Sequence, residues 1–343
     1  MARFPVFDAD GHIVETDDQL APYLEGPFKN RTRSLGFYPR DGWDRKLGDR
    51  LGQSVSDARK WIEVMDQTGL ETAVLFPTNG LFIGFHRDPD FAAALCKAYN
   101  SFVVEKFCQT SPRLKAVAML PPQNPGFAVE ELRRAVTTHP GIVGGMLAAD
   151  GPHLLGRPEY HPLYEEAQRL QTAIAIHGSG SHLGGAGVEM FSRFIQTHTV
   201  SHPFAQMRQV TSVIFEGVPE KSPNLRIAFL EAGVTWAPYW LDRMDEEFHK
   251  RGEVEAPVLK KKPSEYVKQG KIYFSCEAGE SLLGHALDFV GEDRVVYASD
   301  FPHWDAEFPE NIEELLERKD LTDRAKKKVL YENGRVLYGI QSM

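Results

Sequence analysis

The sequence predicts an α/β protein with the fold of a (β/α)8 TIM barrel and long loops over its C-terminal face. Short apolar runs alternate with amphipathic helical segments along the chain, and these runs number eight. Such alternation favours parallel strands joined by right-handed crossovers. An open doubly wound sheet is the alternative, but no glycine-rich dinucleotide fingerprint follows the first apolar run. The barrel is therefore the favoured interpretation.

The first predicted strand lies in the segment FPVFDADGH, residues 4–12. Strand alternation places four side chains on one face, Val6, Asp8, Asp10 and His12. Two carboxylates and an imidazole at a strand end could bind a metal, whereas aspartate and glycine could also simply form a turn. This segment by itself leaves both interpretations open.

The remaining elements follow a regular order. Residues 31–54 are rich in Arg and Gly and have no clean period, so we expect a long loop over one mouth of the barrel. Helices are predicted at residues 57–69, 91–109, 127–139, 160–171, 203–223, 237–250 and 281–293, with a final helical part at 312–337. Strands are predicted at residues 71–78, 114–123, 141–147, 172–180, 225–233, 271–280 and 294–304. Residues 251–262 are interpreted as a charged excursion rather than a linker, so residues 1–343 are predicted to form one domain.

Composition restricts the class of protein. The hydrophobic fraction of 42% and the charged fraction of 25% are typical of a globular protein. A formal net charge of -9 argues against a nucleic-acid partner. No apolar run is long enough to span a bilayer and no signal peptide is visible, so we expect no membrane partner and a cytoplasmic location. The 3 cysteines lack the spacing of a disulfide framework or a thiolate zinc site.

Polar side chains stand at the ends of five predicted strands. They are Asp10 and His12 on the first, His177 on the fifth, Glu231 on the sixth, Glu277 on the seventh and Asp300 on the eighth. Because chemistry in such a barrel is built where the strands end, we expect these groups to converge. Several carboxylates without Lys or Arg partners are costly to bury, and their convergence indicates a bound cation.

These residues carry a resemblance to a known family. The order DADGH, then IHGSG, then ASDFPH resembles the amidohydrolase superfamily, in the amidohydrolase-2 branch that includes aminocarboxymuconate semialdehyde decarboxylase and gamma-resorcylate decarboxylase. The similarity runs nearly end to end. It implies that Asp10 and His12 occupy the first-strand ligand pair, that His177 is the fifth-strand ligand, and that Asp300 is the eighth-strand aspartate. It also implies a homodimer.

The sequence departs from that branch at two strands. Its decarboxylases usually carry a histidine at the end of the sixth strand, where this chain has Glu231. The fourth strand has no lysine, so a carbamylated lysine bridging two metals is not expected. Glu231, Glu277 and His202 could complete an oxygen-rich site for one or two divalent ions, with zinc, manganese and iron all acceptable.

Three of these residues have competing interpretations. His202 could ligate a metal, or it could cap the helix predicted to follow it. Glu277 could be a ligand, or it could accept hydrogen bonds from a neighbouring loop. His303 could orient a ligand or contact substrate.

Two enzymatic hypotheses follow. The first is a metal-dependent hydrolase or decarboxylase-like carbon–carbon lyase acting on a small aromatic or carboxylated substrate, with Asp300, Glu231 and His303 as catalytic residues. The alternative is a dinuclear non-haem iron oxygenase on the same barrel, motivated by the number of carboxylates. A barrel that binds a ligand without catalysis is a third possibility, disfavoured by the cost of unused buried carboxylates.

Overall fold

The structure, a computed structural model, describes residues 4–29, 36–43, 57–181, 183, 185 and 187–340. Most of the predicted loop at residues 31–54 lies outside the described residues, and the part within them, 36–43, contains neither helix nor strand. No helix of the described part is long and apolar enough to cross a membrane.

Eight parallel strands form one sheet in sequential order, which confirms the predicted barrel. The strands are β1 (Val6–Ile13), β2 (Leu70–Pro77), β3 (Leu114–Met119), β4 (Ile142–Ala148), β5 (Ala173–His177), β6 (Arg226–Leu230), β7 (Ile272–Cys276) and β8 (Val295–Tyr297). They are almost wholly buried, as expected for a sheet covered by helices outside and filled by side chains inside.

The barrel closes where the chain leaves β8 and meets β1. The Asp300 amide donates to the Asp10 carbonyl at 3.1 Å, and the His12 amide donates to the Phe301 carbonyl at 2.7 Å. The buried Asp8 carboxylate accepts from the Ser299 amide at 2.9 Å and from its hydroxyl at 2.6 Å. Asp8 thus joins the two edges of the barrel, and a register shift between Asp8 and Gly11 interrupts regular alternation along β1.

Gly11 has a steric role in the same segment. A Cβ atom at this position would lie 2.6 Å from Trp61 Cη2, so only glycine allows the indole to approach. The Trp61 indole N–H donates to the His12 carbonyl at 3.1 Å. The glycine of DADGH is therefore explained by packing beneath the strand end.

Helices cover the outside of the barrel. They are α1 (Asp17–Leu20), α2 (Ala58–Thr68), α3 (Pro89–Val103), α4 (Pro125–Thr138), α5 (His161–Arg169), α6 (Phe194–Phe215), α7 (Val218–Lys221), α8 (Ala237–Glu255), α9 (Pro263–Gln269), α10 (Leu283–Val290), α11 (Glu310–Glu317), α12 (Asp323–Lys327) and α13 (Asn333–Tyr338).

The final helical part predicted at 312–337 is divided among α11, α12 and α13, and the boundaries of α6 and α8 also differ from the prediction. Helix α6 begins at Phe194 rather than at Pro203, because the long helix tolerates one internal proline at the loss of one backbone hydrogen bond. Helix α8 continues to Glu255, so residues 251–255 of the predicted excursion are helical. Their charges form ion pairs on a solvated helix face, such as Arg251 with Glu255.

Candidate metal centre

The first set of possible metal donors lies between β1 and β5. Its members are Asp10, His12 and His177, all fully or almost fully buried. His177 Nε2 lies 3.0 Å from Asp10 Oδ1, and His12 Nε2 lies 3.6 Å from the same oxygen. One donor atom from each residue falls within 4.8 Å of the others. The fold thus brings three predicted ligands together.

A second set shares His12 and adds groups from the ends of β6 and β8. It contains His12, Glu231, Asp300 and His303. His12 Nε2 is 3.4 Å from Asp300 Oδ1, and His303 Nδ1 is 2.7 Å from that oxygen. His303 Nδ1 is also 3.5 Å from Glu231 Oε1. The two sets therefore form one continuous cluster at the C-terminal face of the barrel.

The backbone is strained at both carboxylates that follow strands. Glu231 has φ of 60° and Asp300 has φ of 53°, in the left-handed region that side-chain-bearing residues rarely adopt. Such strain costs on the order of 1–3 kcal/mol per residue and concentrates at functional sites. Each carboxylate is thereby turned into the cluster as the chain leaves its strand.

The hydrogen bonds around the cluster leave ligand atoms free to bind a cation. His12 Nδ1 lies 3.1 Å from the Pro77 carbonyl and donates to it, so His12 Nε2 carries the free lone pair. His12 Nε2 and Glu231 Oε2 are buried and have no hydrogen-bond partner. Among the described residues, no Lys or Arg forms an ion pair with Asp10, Glu231 or Asp300. A divalent ion fits this arrangement because it would satisfy both orphaned atoms and neutralise the carboxylates.

Burial and mutual attraction shift the protonation of the cluster. Burial raises the pKa of Asp10, and it raises the pKa of Asp300 to about 7 although His303 partly offsets the effect. Burial alone would lower the pKa of His177, but Asp10 and Glu231 raise it well above its usual value. The neighbouring imidazoles of His177 and other residues outweigh burial at Glu231 and hold its pKa well below the usual range.

His202 approaches the cluster from helix α6. It lies inside that helix and is buried, with Nε2 at 3.6 Å from Glu231 Oε2, so the capping interpretation is wrong. Gly180 leaves space for it: a Cβ there would lie 2.7 Å from His202 Cε1, and its φ of 61° favours glycine. The second glycine of IHGSG is thus explained. Ligation by His202 stays a prediction.

Glu277 belongs to neither donor set, although it lies close to the cluster: burial, and then the nearby Asp300 carboxylate, raise its pKa to about 8. At the end of β7 its side chain is nonetheless in contact with solvent. Its amide donates to Glu280 Oε2 at 3.0 Å, and Glu280 also accepts from the Val234 amide at 2.9 Å. Glu280 is therefore the carboxylate that links the loops after β6 and β7, and Glu277 was predicted as a ligand only because it ends a strand.

A cavity of about 180 Å³ opens over the cluster. Glu231 and His303 form its polar floor, and Leu81, Phe82 and Trp304 contribute apolar walls. His303 Nε2 lies 3.0 Å from Thr78 Oγ1, which fixes the ring while Nδ1 faces Asp300.

The same cavity contains two residues that sequence reasoning missed, His198 and Asp305. The spacing of four residues between His198 and His202 places both rings on one face of α6, and this spacing is the signal that would have identified His198.

Comparison with known families identifies the chain. Residues 7–340 match the family described as Amidohydrolase. This chain belongs to the amidohydrolase family. The match spans the barrel and every strand-end residue of the cluster, in agreement with the resemblance noted from the three short motifs.

The amidohydrolase relatives include decarboxylases. The chain is 25% identical over 262 residues to 2-amino-3-carboxymuconate-6-semialdehyde decarboxylase from Dictyostelium discoideum, which covers 76% of this chain and 70% of the relative. It is 27% identical over 286 residues to gamma-resorcylate decarboxylase from Rhizobium sp. (strain MTP-10005), covering 78% and 83%. Neither relative is an oxygenase, and the two-iron alternative gains no support from them.

Solved amidohydrolase structures share the fold. An amidohydrolase from Mycobacterium avium subsp. paratuberculosis K-10 superposes with a TM-score of 0.80 at 19% identity, over 99% of each chain. A dihydroxybenzoic acid decarboxylase from Polaromonas sp. JS666, solved with bound manganese and 2-nitroresorcinol, has a TM-score of 0.74 at 19% identity, over 99% of this chain and 98% of that one.

Proposed function

We propose that this amidohydrolase-family enzyme is a metal-dependent carbon–carbon lyase that decarboxylates a small aromatic carboxylic acid. The observation that carries the proposal is the pair of orphaned buried atoms, His12 Nε2 and Glu231 Oε2, in a cluster that borders a small cavity through Glu231 and His303. The decarboxylase relatives favour lyase over hydrolase chemistry.

The residues of the site have two proposed roles, as metal ligands and as a proton donor. Asp10, His12, His177 and Asp300 would hold the ion, and Glu231 adds a further anionic donor. When bound, a divalent cation supplies positive charge for a substrate carboxylate that these aspartates and Glu231 would otherwise repel. Manganese is our first choice of ion because structural neighbours contain it.

Decarboxylation breaks the bond between the ring carbon and the carboxyl carbon, releases CO2, and leaves an electron pair on the ring carbon that must take up a proton. The His303 and Asp300 pair is placed to supply it. Burial alone would lower the pKa of His303, but Asp300 and Glu231 raise it well above its usual value. Together with the raised pKa of Asp300, this keeps a proton on the pair at neutral pH. His303 also borders the cavity, where substrate would bind.

Glu231 has a different task from the proton donor. Its carboxylate lies 3.1 Å from His177 Nδ1 and 3.6 Å from His202 Nε2, and its pKa is held low. A permanently ionised carboxylate is a poor proton source and a good ligand for a divalent ion. Glu231 is therefore proposed as a metal donor, at the strand end where branch decarboxylases usually have a histidine.

The test is a substrate panel with the manganese-loaded protein. We expect CO2 release from at least one hydroxybenzoate, such as 2,6-dihydroxybenzoate, followed by ultraviolet absorbance and by trapped CO2. The Asp300→Asn variant should lose activity because it removes a metal ligand and also the carboxylate that shares a proton with His303.

Aryl esters and lactones form the comparison set for the hydrolase alternative. Hydrolysis of these compounds without CO2 release from any aromatic acid would refute the lyase assignment. Full decarboxylase activity in Asp300→Asn would refute the assigned role of the His303 and Asp300 pair.

A further inference from the structure

The cavity carries a polar pair that the metal centre does not use. His198 on α6 and Asp305 in the loop after β8 meet across it, with His198 Nε2 at 3.3 Å from Asp305 Oδ2. Their side chains are 30% and 32% exposed, so they border the space rather than pack beneath it. Both line the cavity whose floor is Glu231 and His303.

His202 lies between the His198 and Asp305 pair and the metal cluster. The His198 ring contacts the His202 ring with centroids 4.8 Å apart, and His202 in turn is 3.6 Å from Glu231. A substrate whose carboxylate is held at the cluster therefore extends its ring toward His198 and Asp305.

Aromatic side chains define the shape of this outer part. The Trp304 ring packs against His198 with centroids 5.6 Å apart, and Phe82 lines the same cavity. Flat apolar walls accept a planar ring by stacking and leave its edge to polar neighbours. The substituents on the ring edge are therefore what the polar pair meets.

Charge determines which substituent fits. Within the described residues, the Asp305 carboxylate forms an ion pair with His198 through Oδ2, and the side chain is 32% exposed. A carboxylate only accepts hydrogen bonds, so a substituent that reaches Asp305 must be a hydrogen-bond donor. A second substrate carboxylate would be repelled by the Asp305 carboxylate, whereas a hydroxyl or amino group would donate a hydrogen bond to it.

We propose that Asp305, oriented by His198, is a specificity-determining residue that accepts a hydrogen bond from a hydroxyl or amino substituent of the aromatic acid. This inference rests on the proposed function, because the carboxylate at the metal centre sets the direction of the ring. It adds to that function the residue that recognises the ring substituent.

The experiment is isothermal titration calorimetry on the full-length manganese-loaded protein. The probes are benzoate, 2-, 3- and 4-hydroxybenzoate, 2- and 3-aminobenzoate, and isophthalate, which carries a second carboxylate. We expect at least one hydroxy- or aminobenzoate to bind about tenfold more tightly than benzoate, as for one charge-assisted hydrogen bond. We expect isophthalate to bind more weakly than benzoate, and the hydroxy and amino series decide which donor is preferred.

The Asp305→Asn variant should lose this preference, while its affinity for benzoate changes little. The ratio of the affinity for the hydroxy- or aminobenzoate to the affinity for benzoate therefore falls, which a merely structural role would not produce. Asp288→Asn, at an exposed aspartate on α10, is the matched control and should retain the preference. His198→Phe keeps a ring and removes Nε2, so it should also reduce the preference, and it provides the test if Asp305→Asn does not fold.

The outcomes separate the two proposals. An unchanged preference in folded Asp305→Asn, or in His198→Phe if that is the folded variant, would overturn the role of Asp305. Binding of benzoates to the wild type without any preference for a donor would overturn the inference and leave the proposed function standing. Failure of every benzoate to bind would overturn the proposed function together with the inference.

Discussion

Glu231 ends the strand at which the resemblance implies a histidine, and its carboxylate can be tested separately from the fold. Glu231→Gln keeps the size and removes the negative charge from a buried donor. We expect manganese affinity to fall at least roughly tenfold, the scale on which even indirect changes to a metal site act. Equilibrium dialysis with metal content measured by inductively coupled plasma mass spectrometry checks this.

Glu277→Gln is the matched control, since it makes the same change at a strand-end carboxylate that is exposed and outside both donor sets. It should keep wild-type metal content. Equal metal loss in the two variants would show that Glu277 does bind the ion, and no loss in Glu231→Gln would remove Glu231 from the ligand set.

Gly180 leaves the space that the His202 ring occupies. Gly180→Ala places a Cβ 2.7 Å from His202 and therefore displaces the imidazole, so we expect kcat/KM to fall at least roughly tenfold. The left-handed φ adds a stability cost of about 1–2 kcal/mol. Steady-state kinetics on the substrate found in the panel, with urea unfolding, measures both effects.

The control for this change is Gly185→Ala. Its φ of 75° carries the same backbone cost, but nothing lies within 4 Å of the added Cβ. It should lose stability and keep activity. Equal activity in Gly180→Ala and Gly185→Ala would mean that the position of His202 does not matter to the reaction.

At the scale of elements, helix α6 shows how a helix is anchored over strand ends. His198, His202 and Gln206 repeat every four residues and share one face. The Gln206 side chain donates to the Ile176 carbonyl at 2.9 Å and to the Leu230 carbonyl at 2.7 Å. These bonds join the helix to β5 and β6, and thereby fix the depth at which His202 enters the site.

The contact between α4 and α5 gives a stability prediction. The buried Glu166 carboxylate accepts from Arg169 Nε at 2.7 Å and from Arg133 Nε at 2.6 Å. Glu166→Gln keeps the shape and removes the charge, and we expect a loss of about 1 kcal/mol in the free energy of unfolding at pH 7 because the exposed guanidinium groups are screened by solvent. Urea denaturation measures the loss.

The pH dependence of that difference follows from the pKa of Glu166. Hydrogen bonds from Arg169, and then from Arg133, lower it from the usual 4.5 to about 2. The ionised carboxylate therefore stabilises the fold fully above pH 4.5, and this contribution is lost as the pH falls toward 2. The difference in the free energy of unfolding between wild type and Glu166→Gln should become smaller between pH 7 and pH 3. Glu165→Gln, on the exposed face of α5, should match the wild type, and a gap that widens in acid would contradict the assignment.

At the scale of the whole molecule, we expect removal of the metal to destabilise the folded protein. The ion-free cluster leaves two buried atoms without a hydrogen-bond partner among the described residues, His12 Nε2 and Glu231 Oε2, and a bound ion would satisfy both. A ligand at a hundredfold excess over its Kd stabilises the folded state by about 2.7 kcal/mol. We expect chelation to lower Tm by several degrees and manganese to restore it, as measured by differential scanning calorimetry.

Glu231→Gln again provides the comparison, because its Tm should respond less to manganese than that of the wild type. An unchanged Tm after chelation, with no metal in the protein as purified, would contradict a metal centre in this barrel.

The sequence by itself determined the barrel and most of the cluster. The eight apolar runs required parallel strands, and parallel strands of a barrel deliver their ends to one face. For that reason Asp10, His12, His177, Glu231 and Asp300 could be expected to meet before any coordinates were known. This expectation needs only the common direction of the strands, which the helical crossovers between them impose.

Only the tertiary structure decided how each side chain is used. Asp8 resembles Asp10 in the sequence, yet the register shift in β1 turns it to Ser299 and the barrel seam. Glu277 resembles Glu231, yet it belongs to neither donor set. His198 and Asp305 are far apart in the chain and meet across the cavity. A strand or helix period specifies which residues share a face, but the rotation of each loop and helix against its neighbours depends on packing between distant segments, and that packing decides which groups come within bonding distance.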